Sequence, residues 1–452
     1  VDLPPLLDGF RPVLDLVVSE AEARDLPVFL VGGAVRDALR GVPAKDLDLV
    51  VETGSPGQVL ELAESLARLL GGTFVPLDRV RGIARIVLRE GRDLDLAARV
   101  GSSLEDDLRH RDFTLNAMAW DMKAGRLLDP TGGRSDLAGQ ILRPAGPTSL
   151  ADDPLRTMRA LRMLCSLPLR PAPGLAEALQ AHAGQLCRVS PERIRDELFA
   201  CLQAGLPPHW ELFVQSGLLG EVLPETGGLP GVQGRRALAT LTALEGMQSS
   251  GYEALTGCPE ALRSHLERPL AASRRPLELL KLAAILEARP ADSGAIPQGE
   301  ADRIESAGRH LVLSKREIRR LVRLLTMHRQ PWVLARRQAS PGPWCRLFRE
   351  AGQAAPDVLV FAVACGSDAG REEDRASLEH IRPMLDDFFQ EGRVARPKSP
   401  VTGADLAHAF GLPRGPLVGH LLEQLAEAVA AGQVQSRKEA LVLAAEWLAR
   451  DS

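Results

Sequence analysis

Strand-forming patterns in this chain stop near residue 143, and that asymmetry limits the folds open to it. VFLVGG, KDLDLVVE, GTFVPL, ARIVLRE and RDLDLAAR all fall in the first third. Each is short, rich in Val, Ile and Leu, and bounded by Gly, Pro or charged turns. A helical stretch, AVRDALRG, separates the first two. After the second comes PGQVLELAESLARLLGG, apolar at helical spacing and ending on glycine. From Asp152 onward the pattern turns helical, as in DDPLRTMRALRMLCSL, PERIRDELFACLQAG and KREIRRLVRLLTMHR. These patterns predict an α/β head with a mixed sheet over 1–143 and an all-α remainder. Joints rich in Pro and Gly divide the remainder into a neck (144–205), a body (206–387) and a tail (388–452), with 388–400 as a linker.

At 452 residues the chain is too long for one compact unit, so several domains are expected. With 45% hydrophobic and 25% charged residues, its composition is that of a water-soluble globular protein. No apolar run approaches the roughly 20 residues that a bilayer requires, so no membrane partner is expected. The opening VDLPPLLDGFRP lacks the basic start and apolar core of a secretory leader. Cys165, Cys187, Cys201, Cys258, Cys345 and Cys365 are scattered without CxxC pairs. They read as reduced and mostly buried, which points to a cytoplasmic location. A net charge of -4 excludes a globally basic nucleic-acid binder, so any such surface must come from local clustering.

Side chains two apart on a strand share a face, so Asp46 and Asp48 converge while Leu47 and Leu49 turn to the core. Two close carboxylates repel each other and gain by sharing a divalent cation. Mg2+ suits them because it binds through one or two carboxylates plus substrate phosphates. Alone, such a pair is more often a solvated strand face, and Gly32-Gly33 alone is more often a tight turn. Together they say more. The glycines let the backbone approach a triphosphate, and the helix from Ala34 aims its N-terminus there. On the DLDLAAR strand, Asp95 or Asp93 could complete a set for two-metal in-line displacement.

GGAVRDALRG followed by DLDLV resembles the catalytic signature of the nucleotidyltransferase superfamily. In detail it is similar to the class II tRNA nucleotidyltransferase and bacterial poly(A) polymerase family. Further blocks of that family's pattern run in order from Val28 to about Ala204 and return near the C-terminus. The resemblance implies a polymerase-β-like head in which Asp46, Asp48 and Asp95 are catalytic, with Mg2+ on Asp46 and Asp48. It implies nucleotide binding by Gly32, Gly33, Arg36, Arg111, Asp112, Asn116, Asp153, Arg156 and Arg159.

LRHRDFTLNAMA (108–119) resembles the ribose and triphosphate block of the family. Arg111 can pair with phosphate, Asp112 can accept from ribose hydroxyls, and Asn116 lies one helical turn on. The family usually has arginine where this chain has His110, which ties phosphate affinity there to pH. In DPTGGRSDLAGQILR, similar to the next block, Gly132-Gly133 reads as a hinge. In DDPLRTMRALR, Asp153 and Arg156 are three apart on a helix and project together. Such a pair can read the Watson–Crick edge of cytosine or adenine, and the family selects CTP and ATP this way without a template. Asp153 before Pro154 also suits a helix cap, and the two roles are compatible. Glutamate is common in the family where Asp152 stands. RVSPERIRDELFACL matches the following helical block and reads as support.

The resemblance implies addition of nucleotides to a tRNA 3′ end, whose hydroxyl attacks the α-phosphate. Members that build the whole CCA end carry a flexible loop after the third-carboxylate strand. Here only Val100 to Ser103 separate DLAAR from the next helix. That short gap resembles the CC-adding branch, which adds two cytidines and leaves the final A to a separate A-adding enzyme. Full CCA-adding and A-adding enzymes are the alternatives. A poly(A) polymerase, a non-catalytic RNA-binding scaffold and transfer to a small molecule lie further off. LLKLAAIL resembles the start of a phosphohydrolase helix that continues His-Asp in many relatives, but Glu287 and Ala288 follow, so the body reads as a degenerate HD-like scaffold. The stretch 314–337 carries eight Lys and Arg against one acidic residue, either a solvated face or a grip on the tRNA acceptor arm. Residues 401–441 are similar to the family's C-terminal module, expected to contact the tRNA elbow by shape.

Overall fold

The computed structural model describes residues 10–44, 46–88, 93–228, 231–270, 274–287, 299–366, 372–390, 392–413 and 415–450. The leader reading at residues 1–9 and the Ala288 position lie outside the described residues. The chain divides into two compact units, Val1–Ser190 with Gln215–Leu218, and Pro191–Val214 with Leu219–Ser452.

In the first unit, all five strand segments read from the sequence form strands. They are β1 (Val28–Val31), β2 (Leu47–Val51), β3 (Thr73–Asp78), β4 (Ile83–Val87) and β5 (Asp93–Ala98). Two short strands, β6 (Ala119–Asp121) and β7 (Arg126–Leu128), extend the sheet to the order β3-β4-β5-β2-β1-β6-β7. β2 and β5 run parallel while their other neighbours are antiparallel, so the sheet is mixed, as predicted.

Alternation along the strands fixes which face is which. Leu47, Leu49, Val51, Leu94 and Leu96 enter a large core shared with the helices α1 (Arg11–Glu22), α2 (Gly33–Leu39) and α3 (Pro56–Leu70). α3 buries Val59, Leu62, Ala63, Leu66 and Ala67, the 3–4 spacing of one helix face. It begins with a proline in its first turn, where the missing N–H costs nothing. It stops at Gly71, whose left-handed φ of 64° lets its N–H reach back to carbonyls of the last turn. Leu62 and Leu66 are fully buried, and each contributes about 1.5–3 kcal/mol by leaving water.

The opposite face carries Asp48 and Asp95, and beside them a smaller core of Phe29, Val31, Val50, Leu104, Leu108, Ala117 and Ala119. That second core seats α4 (Leu104–Arg109) next to the carboxylates. α5 (Gly133–Ala138), α6 (Ser149–Asp152), α7 (Arg156–Ser166) and α8 (Leu175–Ala183) follow. At the Gly132-Gly133 corner, expected as a hinge, Gly133 is buried, and a Cβ there would sit 2.1 Å from the Thr114 carbonyl oxygen. Glycine is needed for close packing, and Asp129 locks the corner by accepting from the N–H groups of Gly133 (2.7 Å) and Arg134 (2.9 Å).

The named elements of the second unit are all helices. The helix Pro276–Leu286 is buried around its whole circumference. Its Lys281 ammonium donates to the Leu202 carbonyl at 2.7 Å and lies 3.2 Å from Glu245. Buried Asp357 accepts from Arg320 and pairs with His265 at 2.8 Å. The last helices, Gly403–Phe410, Pro416–Ala430 and Arg437–Arg450, close over a core of their own that includes Leu406, Leu421, Leu425 and Ala440. Glu427 accepts from Arg346 (3.0 Å) and Arg349 (2.9 Å), tying these helices to Pro341–Ala351. None of the six cysteines forms a disulfide, but only Cys201 and Cys345 are buried and Cys187 is exposed, so "mostly buried" does not hold. Among the described residues no helix is long and apolar enough to cross a membrane.

Candidate active site

Asp48 and Asp95 are register partners on the parallel strands β2 and β5, so their side chains stand side by side on one face. Asp46 lies just before β2 and is exposed, and its Oδ1 accepts the N–H of Asp93 at 3.1 Å. Burial, then the charge of Asp95, push the Asp48 carboxyl above the ordinary aspartate range. Asp46 adds to the rise, while Arg111 and Arg159 pull it back. The expected third carboxylate is present but occupied. Asp95 accepts from Arg85 Nε and Nη2, both at 2.8 Å, and Asp93 lies 3.0 Å from the same guanidinium. Among the described residues no three acidic, His or Cys side chains form a ready metal cluster.

Gly32 links β1 to α2 with φ 71°, a conformation that side chains rarely tolerate. A Cβ there would lie 3.0 Å from Asp48 Oδ2 and 3.5 Å from Arg111 Nη1, so the glycine keeps open the space between acid and arginine. Gly33 has no such constraint, its nearest neighbour being Arg36 Nη2 at 3.5 Å. Arg36 forks onto Asp37 through Nε and Nη2, both at 2.9 Å, and its Nη1 donates to Asn116 Oδ1 at 2.8 Å.

The block 108–119 is not one helix. α4 ends at Arg109, Phe113 is extended, and Thr114–Asn116 is a 3-10 turn. Asn116 nevertheless reaches Asp112, its Nδ2 donating to Oδ1 at 3.1 Å, so Arg36, Asn116 and Asp112 form a chain. Asp112 Oδ2 lies 3.0 Å from Arg159 Nη2, yet it has no aligned hydrogen-bond donor. Arg111 Nε donates to buried Asp107 at 3.3 Å. The His110 ring rests on the Asp106 carbonyl at 2.8 Å.

Asp153 and Arg156 do not share a helix. Asp153 is extended (φ −141°, ψ 103°) ahead of Pro154, and its Oδ1 accepts the Leu155 N–H at 3.1 Å, the capping role. Arg156 opens α7 and donates to three backbone carbonyls, those of His110 (2.8 Å), Arg111 (3.2 Å) and Ser149 (2.9 Å). Ser149 in turn donates to the Asp112 carbonyl at 2.7 Å. Sequence reasoning missed Arg85, Asp107 and Ser149. Each acts through a strand register or a loop contact that spacing does not encode, although alternation along ARIVL does place Arg85 opposite the core-facing Ala84 and Ile86.

A mixed sheet bearing paired carboxylates beside a strained glycine turn, with helices after it, defines a nucleotidyltransferase head with a helical extension. Family models match in three places: poly A polymerase head domain over 85–143, a probable RNA- and SrmB-binding site of polymerase A over 169–228, and a putative tRNA nucleotidyltransferase domain 2 over 386–445. A CC-adding tRNA nucleotidyltransferase of Geobacter sulfurreducens is 33% identical over 95% of this chain and 94% of its own length. An A-adding tRNA nucleotidyltransferase of Deinococcus radiodurans is 31% identical over 92% and 95%. Among solved structures, a Thermotoga maritima CCA-adding enzyme complexed with tRNA superposes with a TM-score of 0.71 at 20% identity, covering 99% of both chains. The chain belongs to the tRNA nucleotidyltransferase and poly(A) polymerase family and is an enzyme of the tRNA nucleotidyltransferase kind.

Proposed function

We propose that this chain adds cytidines from CTP to the 3′ end of tRNA, releasing pyrophosphate, and stops at CC. The observation that carries the transfer is the pairing of Asp48 with Asp95 beside the space that Gly32 keeps open. The donor set is hard carboxylate oxygen, which fits Mg2+, and Asp46 and Asp48 would hold it. When bound, the ion supplies Lewis-acid polarisation of phosphoryl oxygen.

The chain's own residues do the rest. Arg111, held by Asp107, meets the triphosphate across Gly32, and the Gly33 and Arg36 corner borders the same space. Asp112, whose buried Oδ2 lies against Arg159 at 3.0 Å, would accept from a ribose hydroxyl, and Asn116 holds its other oxygen. Asp153, Arg156 and Arg159 select the base. Three carbonyls fix the plane of the Arg156 guanidinium in advance, which is what an edge-reading group requires.

The narrower CC reading rests on the connection from β5 to α4. It is short and pinned: Asp107 Oδ1 accepts from Val100 N–H at 2.8 Å, Asp106 Oδ2 from Ser102 N–H at 2.9 Å, and Ser103 Oγ caps α4. A pinned connection has little freedom to reshape the pocket for ATP, so a separate A-adding enzyme would finish the end. On the helix Lys315–Met327, Lys315, Arg316, Arg319 and Arg323 are exposed at helical spacing and would meet acceptor-arm phosphates. The last three helices would reach the elbow, and the chain would work as head (1–143), neck (144–205), body (206–387) and tail (388–452).

The test is to incubate tRNAs ending before the CCA, at C and at CC with CTP and ATP together and to sequence the products. Products ending at CC are expected. Efficient growth from CC to CCA would overturn the CC reading, and no incorporation at all would overturn the transfer.

A further inference from the structure

Strand pairing puts a cation of the protein's own where a third open carboxylate is expected. Arg85 on β4 is the register partner of Asp95 on β5. Its Nε donates to Oδ1 and its Nη2 to Oδ2, both at 2.8 Å, and its Nη1 lies 3.0 Å from Asp93. Asp93 passes the connection on, because its N–H donates to Asp46 Oδ1 at 3.1 Å. One guanidinium therefore organises the acidic run of β5 on the face that carries Asp48.

A two-pronged arginine–carboxylate pair uses one oxygen for each N–H, and these are the same oxygens a metal ion would need. A guanidinium and a divalent ion thus compete for Asp95. The pair is not sealed in: the Arg85 side chain is 41% exposed, so water and ligands reach it.

We propose that Arg85 is a positioning residue that holds Asp95 away from the cation site of Asp46 and Asp48, so that Asp95 joins that site only when Arg85 releases it. This rests on the reading of Asp46 and Asp48 as the cation site. While the fork holds, Arg85 stands in for a second ion and balances the crowded carboxylates, and only the first ion binds without displacing a protein group.

The probe is Mn2+ alone, titrated into the full chain without nucleotide while free ion is followed by electron paramagnetic resonance. Arg85→Gln should bind Mn2+ about tenfold more tightly than wild type, or gain a second ion, the size expected for losing one charge-assisted pair. Arg85→Lys keeps the charge but loses the fork, and should fall between the two. Curves for Arg85→Gln and Arg85→Lys that superimpose on wild type, or show weaker binding, would overturn the proposal. Asp46→Asn with Asp48→Asn separates the two layers of inference. If that double variant binds Mn2+ as wild type does, the site reading fails and the Arg85 proposal falls with it. If it loses the ion while the Arg85 variants match wild type, only the Arg85 proposal fails.

Discussion

Asp48 and Asp95 face each other across parallel strands, while Leu47, Leu49, Leu94 and Leu96 on the same strands fill the core behind them. The hydrophobic packing that fixes the strand register thereby fixes the spacing of two like charges. A one-residue slip would send the acids inward and the leucines outward, so the register is strongly specified.

Asp48→Asn should lower cytidine incorporation by about 100- to 1,000-fold, the scale for losing one electrostatic group at a reaction centre. Stability should move the other way. Burial and then Asp95 raise the Asp48 pKa, so the folded state tolerates the neutral acid and is penalised once it ionises. That tolerance is fully present below the ordinary aspartate value and is lost as pH rises through the raised one. In chelator, the variant should melt higher than wild type at neutral pH and equal to it in acid. Melting curves at the two pH values check this.

Gly32→Ala and Gly33→Ala should behave differently despite being neighbours. At Gly32, φ 71° and a 3.0 Å approach to Asp48 Oδ2 impose strain of about 1–3 kcal/mol and displace the acid. Gly33 meets only the flexible end of Arg36 at 3.5 Å. Denaturant melts and incorporation rates of the two variants should separate clearly, with Gly32→Ala the worse in both.

Asp107→Ala should raise the KM for CTP about tenfold while changing kcat less. It frees the Val100 N–H and releases Arg111, the two groups held by one buried carboxylate. Steady-state kinetics with tRNA ending in C would measure it.

In the helical unit, Arg320→Ala should cost about 3–5 kcal/mol, because it leaves Asp357 charged and buried with His265 as its remaining named partner. Burial works against that carboxylate, but the hydrogen bond from His265 and the charge of Arg320 hold its pKa below the usual range. A lowered acid stabilises the fold above its unfolded value and stops doing so as pH falls through the folded one. The wild-type advantage over Arg320→Ala should therefore shrink in strong acid, as urea melts across pH would record.

The sequence revealed what depends on local pattern and hid what depends on pairing. The five longer strands and α3 follow from period and glycine punctuation. β6 and β7, three residues each, are too short to show an alternation. Asp46, Asp48 and the glycine turn were legible because they lie within one short stretch. The Arg85 grip on Asp95 was not, since it comes from the register of two neighbouring strands. Asp153 was misplaced onto a helix although Pro154 gave the warning, because a residue before proline is pushed to extended backbone. The triad of His265, Arg320 and Asp357 joins three distant helices, and no spacing rule announces it.

The helix Pro276–Leu286, with no residue facing water in the finished fold, also bears on how the chain is made. Two of the helices that cover it, Lys315–Met327 and Ala355–Gly366, are translated after it. At roughly 5–20 residues per second, a sticky apolar rod waits on the ribosome for seconds before its shelter arrives. Holding factors that bind nascent chains have a target there at that moment.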